Sequence, residues 1–191
     1  VVLRRQYALD IPPTPILLPL LIFILVMMFD GLNSLFVSVP WLPALYPPQN
    51  WLRLVTGMFG GIAISTIAYP VFSISLWHVS RQRDEAVIET TAELLGFLLT
   101  GCVFVVLVLW ENPLLLFPLS ILSALGVVAV LGMVGTIIVL VLSRREATAR
   151  SWQDGVIPIV MGLAIAFLLI EGMGWFKMVI LEHSGVNLPQ G

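Results

Sequence analysis

Asp30, Asn33 and Ser34 close the apolar run that begins ILLPLLIFILVMMF, and their i, i+3, i+4 spacing sets them on one face of a continuing helix. Asn50, Arg53 and Gly57 repeat that spacing at the start of the next apolar run, with Thr56 beside them. A carboxylate, two amides, a guanidinium and a hydroxyl are the raw material of an ion pair or a small polar binding site. A guanidinium fork can hold a carboxylate through two bonds. Polar groups near lipid are costly alone and tend to pair inside a bundle. The spacing therefore predicts a polar clasp of Asp30, Asn33, Asn50, Arg53 and Thr56, with Asp30 and Arg53 in salt-bridge reach. The plainer role of such a clasp is to lock a helical hairpin; the sharper one is contact with a headgroup, ion or pigment. Gly57 and Gly61 add a GxxxG spacing that favours close helix approach.

A second carboxyl, Glu171, lies inside AFLLIEGMGWFKMV, six residues before Lys177 and so about 9 Å from it along a helix. Desolvation disfavours its charged form. It is expected to face the bundle, find a donor or stay protonated. A structural hydrogen bond or a subunit contact is the leading expectation, and proton or ion handling the alternative.

Other ionisable groups read more plainly. Glu89 and Glu93 fall i, i+4 with Thr90 alongside, as like charges near a solvated helix start, with a cation site as the alternative. His78 and His183 have no second ligand nearby and read as interfacial histidines. Cys102 is the single cysteine and makes no intrachain disulfide. Neither structural zinc nor an iron–sulfur cluster is expected. No nucleophile elbow, phosphate-binding glycine loop, HExxH or paired-acid loop is present, so no catalytic residue is assigned. No cofactor is predicted, though lipid, quinone or pigment would be compatible with the setting.

These groups are placed by an unusually apolar chain. Of 191 residues, 59% are hydrophobic and 10% charged; soluble domains average roughly 45–50% and about 25%. The bulk of such a chain must be solvated by lipid. A spanning helix needs about 20 mostly apolar residues, and five stretches qualify: Pro15–Phe36, Trp51–His78, Val87–Trp110, Leu114–Ser143 and Val156–Leu181. The predicted fold is all-α, a polytopic membrane protein and a single domain over residues 1–191. Residues 15–78 form a helical hairpin, and residues 87–181 hold three further spans. The fourth span offers only hydroxyls: Ser120, Ser123 and Thr136. No internal repeat stands out, and an odd helix count argues against an inverted-repeat transporter.

With five spans, Arg4, Arg5, Arg81, Arg83, Arg144, Arg145 and Arg150 share one side, and only Arg53 and Lys177 the other. That bias puts the N-terminus in the cytoplasm and the C-terminus outside, in a bacterial inner membrane. The loop VPWLPALYPPQNW reads as a rigid headgroup-level segment, or alternatively a docking surface. SRREATARSWQDG reads as a solvated basic loop near anionic lipid. A basic patch interleaved with aromatics is lacking, so nucleic acid is not an expected partner. The chain begins with Val1, so a preceding segment is expected, and no signal peptide is visible.

The pair Asp30–Gly31 and the pattern Asn50-x-x-Arg53-x-x-Thr56-Gly57, followed by Pro70, resemble a family of predicted bacterial membrane proteins, the domain of unknown function 2085. The resemblance covers about residues 16–75. ENPLLLFPLSILSALGV resembles, more loosely, longer members from green non-sulfur bacteria. It implies a membrane hairpin and no known activity. Members usually carry a Cys/His motif upstream that these residues lack, so no thiol or metal chemistry carries over.

Two functional expectations follow. The first is a non-catalytic accessory or assembly subunit of a larger membrane complex, with a photosynthetic or respiratory host by analogy. The second is a small ion or proton transporter using Asp30, Arg53 and Glu171. A membrane-embedded enzyme acting on lipid or quinone is the least supported.

Overall fold

The computed structural model describes residues 8–37, 43, 45–78, 80 and 83–183. Its elements are β1 (Ala8–Asp10), α1 (Thr14–Val37), α2 (Asn50–Leu76), β2 (Arg83–Ala86), α3 (Thr91–Leu109), α4 (Pro113–Ser143) and α5 (Trp152–His183). All five helices contain a stretch long and apolar enough to cross a bilayer. The chain is a multi-pass membrane protein. Within lipid only internally hydrogen-bonded backbone is viable, and the helices supply it. Their lipid-facing sides stay apolar, with Leu114, Leu142 and Leu168 among the most exposed residues.

The helices pack in a chain of neighbours, α1 on α2, α2 on α3 and α4, and α4 on α5. One core cluster joins Ile16, Leu20, Ala63, Ile88 and Leu94 where α1, α2 and α3 meet; a second joins Leu76, Trp77, Leu140 and Ala149. Against lipid, close packing replaces the hydrophobic drive, so small residues mark the interfaces. On α2 the buried face runs Thr56, Gly60, Ala63, Thr66, Pro70 and Ser73. Gly60, rather than Gly57 or Gly61, is the contact glycine: a Cβ on it would run into Met27, whereas Cβ atoms on Gly57 and Gly61 would meet nothing. The expected GxxxG pair thus falls on the wrong face, one residue out of step with the Thr56–Gly60–Ala63 stripe.

α4 and α5 approach each other backbone to backbone. A Cβ on Gly135 would strike the Gly162 carbonyl, and one on Gly162 would strike the Thr136 backbone and the Gly132 carbonyl. Thr136 is buried there, its hydroxyl donating to the Gly132 carbonyl at 2.7 Å. The sequence reading had given Thr136 no such role.

The arginine-rich end is more structured than loops alone would be. β1 and β2 pair in parallel, Ala8 with Arg83 and Asp10 with Ala86. The link between α4 and α5 keeps its charged side chains Arg144, Arg145, Glu146 and Arg150 exposed, as expected, while its backbone folds onto the end of α2. Ala147 N–H donates to the Ser75 carbonyl at 2.8 Å, Ala149 N–H to the Leu76 carbonyl at 3.1 Å, and His78 N–H to the Ala149 carbonyl at 2.9 Å. Trp77 is buried there and meets Trp152 edge to face, centroids 4.7 Å apart. Helix α5 starts at Trp152, four residues before the expected start, because Ser151 and Asp154 cap it. The Ser151 and Arg150 N–H groups and the Ser151 hydroxyl all donate to the Asp154 carboxylate.

α3 likewise starts at Thr91 rather than Val87. Thr90 and Glu93 form a capping box: the Glu93 N–H donates to the Thr90 hydroxyl at 3.3 Å, and the Glu93 carboxylate accepts from the backbone of Glu89 and Thr90. Glu89 and Glu93 are therefore not paired charges along one helix. His78 Nδ1 lies 3.0 Å from the Ser80 hydroxyl. Arg83, Arg144, Arg145 and Arg150 lie at this end. Arg4, Arg5 and Arg81 lie outside the described residues, as do the side chains of Lys177 and His183.

The α4–α5 contact has a direct test. Gly162→Leu forces a side chain against backbone that cannot yield, and overpacking of this kind costs about 1–3 kcal/mol. It is expected to destabilise the chain by that amount in reversible unfolding from mixed micelles. Gly57→Ala, on an open face, is expected to match the parent.

Candidate functional site

At the opposite end of the bundle, α1 and α2 hold the main polar cluster. Asp30 is 4% exposed, Asn33 2% and Thr56 4%. α1 delivers Asp30 and Asn33 to its inner face one turn apart, and the Gly60 approach draws α2 close enough for Thr56 to reach them. A lone carboxylate in this setting is expensive. Both its oxygens are met: Oδ1 accepts from the Tyr46 hydroxyl at 2.6 Å and Oδ2 from the Thr56 hydroxyl at 3.3 Å. The Thr56 hydroxyl also lies 3.3 Å from the Arg53 carbonyl, so its single proton alternates between two acceptors.

Asn33 does the complementary job for the backbone. Its Nδ2 donates to the Tyr46 carbonyl at 2.9 Å, and its Oδ1 accepts from the N–H of Leu45 at 2.9 Å and of Tyr46 at 3.4 Å. One amide thus ties two consecutive residues of the α1–α2 connection to α1. Tyr46 is held by its main chain and by its phenol together.

Arg53 does not close on Asp30. Its Nε donates to the Ser34 hydroxyl at 3.1 Å, a bridge from α2 to α1 nearer the bundle end. The expected salt bridge is replaced by two hydroxyl donors. An exposed guanidinium keeps its hydration at the rim, while neutral hydroxyls reach the buried carboxylate without desolvating a second charge. Asn50, in the first turn of α2, is exposed and makes no side-chain bond to the cluster. Of the expected clasp, Asp30, Asn33 and Thr56 are brought together, Arg53 stands beside them, and Asn50 is outside.

Tyr46 is the residue that the sequence reading missed, grouped with the interfacial aromatics of the loop. Its phenol pKa is raised above 10.0, first by the hydrogen bond to Asp30, then by desolvation and the Asp30 charge, with Arg53 opposing. A phenol in a short proline-rich connection, facing a stranded carboxylate, was the available signal.

Glu171 lies elsewhere. It is on α5, exposed, and turned away from α4. Neither of two cavities found among the described residues is lined by Glu171, Asp30 or Arg53. A cavity of about 170 Å³ sits between α2, α3 and α4, lined by Ser65, Thr66 and Tyr69 among apolar residues, and includes none of the three. No group of three or more metal-ligating side chains occurs among the described residues.

The cluster falls within a stretch that resembles known sequences. Residues 1–67 match the family model of DUF2085, a predicted membrane protein. The DUF2085 segment thus holds β1, α1 and α2 as far as Ile67, including every residue of the polar cluster. α3, α4 and α5 lie beyond it, as does the looser resemblance over residues 111–127. No curated protein and no solved structure matches the chain.

The geometry sets an order of mutational sensitivity. Tyr46→Phe leaves a buried carboxylate short of a donor and is expected to lower the unfolding midpoint, and Asn33→Leu, which leaves three backbone groups without their partner, is expected to lower it no less. Arg53→Gln, at the exposed rim, should stay within about 0.5 kcal/mol of the parent. Unfolding midpoints in mixed micelles check all three. Because the folded pKa of Tyr46 is raised, its contribution is complete below pH 10 and is lost as pH rises through the folded value. The difference titration between the parent and Tyr46→Phe should show a phenolate forming later than free tyrosine.

Proposed function

We propose that the chain is a non-catalytic subunit of a larger complex in the bacterial cytoplasmic membrane, docking through the loop that joins α1 to α2. The observation that carries this reading is the internal satisfaction of the polar cluster. Asp30 and Asn33 use their hydrogen-bonding capacity to fix Leu45 and Tyr46, and Thr56 satisfies the other Asp30 oxygen, rather than pointing it into a cavity. A substrate site needs polar groups left open to the substrate; a docking site needs a rigid surface. The clasp holds Leu45 and Tyr46 in place, and the described part of the connection presents Leu45, 72% exposed, with Pro47 and Pro48, next to Trp51 in the first turn of α2. Preorganised loops bind at a lower ordering cost.

The arginines gathered at the far end support an N-terminus in the cytoplasm and a C-terminus outside, so the docking loop faces the outer side. The match to a predicted membrane protein agrees with a membrane role and names no activity. The reading requires no cofactor.

The experiment is affinity purification of the full chain from native membranes in mild detergent. Partner subunits should co-purify in fixed ratio, and Leu45→Asp should release them while leaving the chain folded. A lone chain in every detergent would contradict the reading. Proton or ion flux in proteoliposomes, abolished by Glu171→Gln, would favour the transporter instead.

A further inference from the structure

The cavity of about 170 Å³ between α2, α3 and α4 plays no part in the hairpin clasp or the docking loop. It is closed along the bundle axis in both directions. Toward the hairpin end, α3 presses onto α2 at Gly101, where a Cβ would run into Met58 and meet Ile62. Toward the arginine-rich end, Val87 lines the cavity and Ile88 beside it is buried in the core. Sideways the enclosure is looser: α3 and α4 touch each other sparsely, and the lining residues they contribute, Phe97 and Met133, are half-buried. Thr66 in the α2 wall lies ten residues, about 15 Å, from the Leu76 end of its helix, well inside a hydrocarbon layer roughly 30 Å thick. The cavity is therefore approached from the bilayer, between α3 and α4.

Two hydroxyls give this largely apolar wall a definite polarity. Ser65 donates to the Gly61 carbonyl at 2.7 Å, with the Ile62 carbonyl second at 3.1 Å, and Thr66 donates to the Ile62 carbonyl at 2.7 Å. Both protons are committed to the α2 backbone, while each oxygen keeps acceptor lone pairs. What Ser65 and Thr66 offer an occupant is acceptor capacity, which a ligand meets by bringing a donor. The rest of the wall suits an aromatic ring: Phe97, the Met133 thioether, and Tyr69, whose own ring is braced by Phe72 at 6.4 Å between centroids.

Size narrows the class further. An apolar cavity of roughly 150 Å³ accepts benzene, so this one holds a single six-membered ring. Water is a poor occupant, because each buried water needs about 2–4 polar partners and several would be required to fill the space. An alkyl chain fills it but leaves both acceptors facing methylene groups. We propose that the cavity binds the head of a membrane-soluble phenol of the hydroquinone class. The ring lies against Phe97, Tyr69 and Met133, its O–H donates to the Ser65 or Thr66 oxygen, and its tail leaves between α3 and α4 into the lipid. The corresponding quinone has the same ring but carries only acceptors, so the site separates the two oxidation states by binding the reduced one. The inference stands apart from the subunit reading, which places its partner on the α1–α2 loop.

The test titrates the full chain in phospholipid nanodiscs, without oxygen, with decylhydroquinone and separately with decylbenzoquinone. Protein-free nanodiscs give the partition background. One saturable site per chain is expected for the hydroquinone, at least about fivefold tighter than for the quinone. Ser65→Ala combined with Thr66→Val, which removes both acceptors and nearly keeps the cavity's shape, should bring the two forms to equal affinity. Met133→Trp, which fills the cavity, should abolish saturable binding of both. A melting transition close to the parent's shows that a variant is folded, and if Met133→Trp fails to fold, the hydroxyl variants decide alone. No saturable binding above the background would overturn the proposal. So would equal affinity of the parent for the two forms, competition by decane as strong as by the hydroquinone, or a preference that survives the loss of both hydroxyls.

Discussion

A carboxylate buried between two membrane helices must be given donors, and the hairpin end of this protein is arranged around that requirement. Asp30 cannot be left to lipid, and no water-exposed position is available to it on the inner face of α1. Its donors come from two directions: Thr56 across the helix interface and Tyr46 from the connection above. Meeting the first demands a close α1–α2 approach, which Gly60 permits by leaving room for Met27. Meeting the second demands that the connection fold back, which Asn33 secures through the backbone of Leu45 and Tyr46. The placement of Leu45 and Tyr46 in the connection follows from satisfying one charge.

The other end of the bundle solves a similar problem with main-chain groups. α2 stops at Leu76, leaving terminal carbonyls without helical partners. The α4–α5 link supplies the missing donors through Ala147 and Ala149, and the Trp77–Trp152 contact covers the join. α2 is thereby tied at one end to α1 and at the other to the α4–α5 pair. It is the element through which the five helices become one unit, which accounts for its large share of buried residues among the five spans.

Much of this was legible in the sequence, and the failures are instructive. Five spans and a hairpin bearing Asp30, Asn33 and Thr56 follow from hydropathy and helical spacing, because lipid leaves so few alternatives. Partner choice within the cluster was not legible. Charge complementarity favoured Arg53, yet desolvating a guanidinium beside the carboxylate is harder than bringing in a phenol and a hydroxyl. Spacing alone could not choose between Gly57–Gly61 and Gly60, since the two sets lie on different faces and only the packed helix shows which is used. The direction of Glu171 depended likewise on knowing that Gly162 is the contact point on α5. Helix starts at Thr91 and Trp152 were shifted by capping groups that carry little hydropathy signal.

The measurement that bears most directly on this account is a pair of double-mutant cycles in reversible unfolding, one pairing Asp30→Asn with Tyr46→Phe and the other pairing Asp30→Asn with Arg53→Gln. If the buried carboxylate is held by the phenol, the first cycle should return a coupling clearly above zero and the second a value near zero. A first cycle near zero, with the coupling found between Asp30 and Arg53, would show that an ion pair holds the hairpin and would contradict the account.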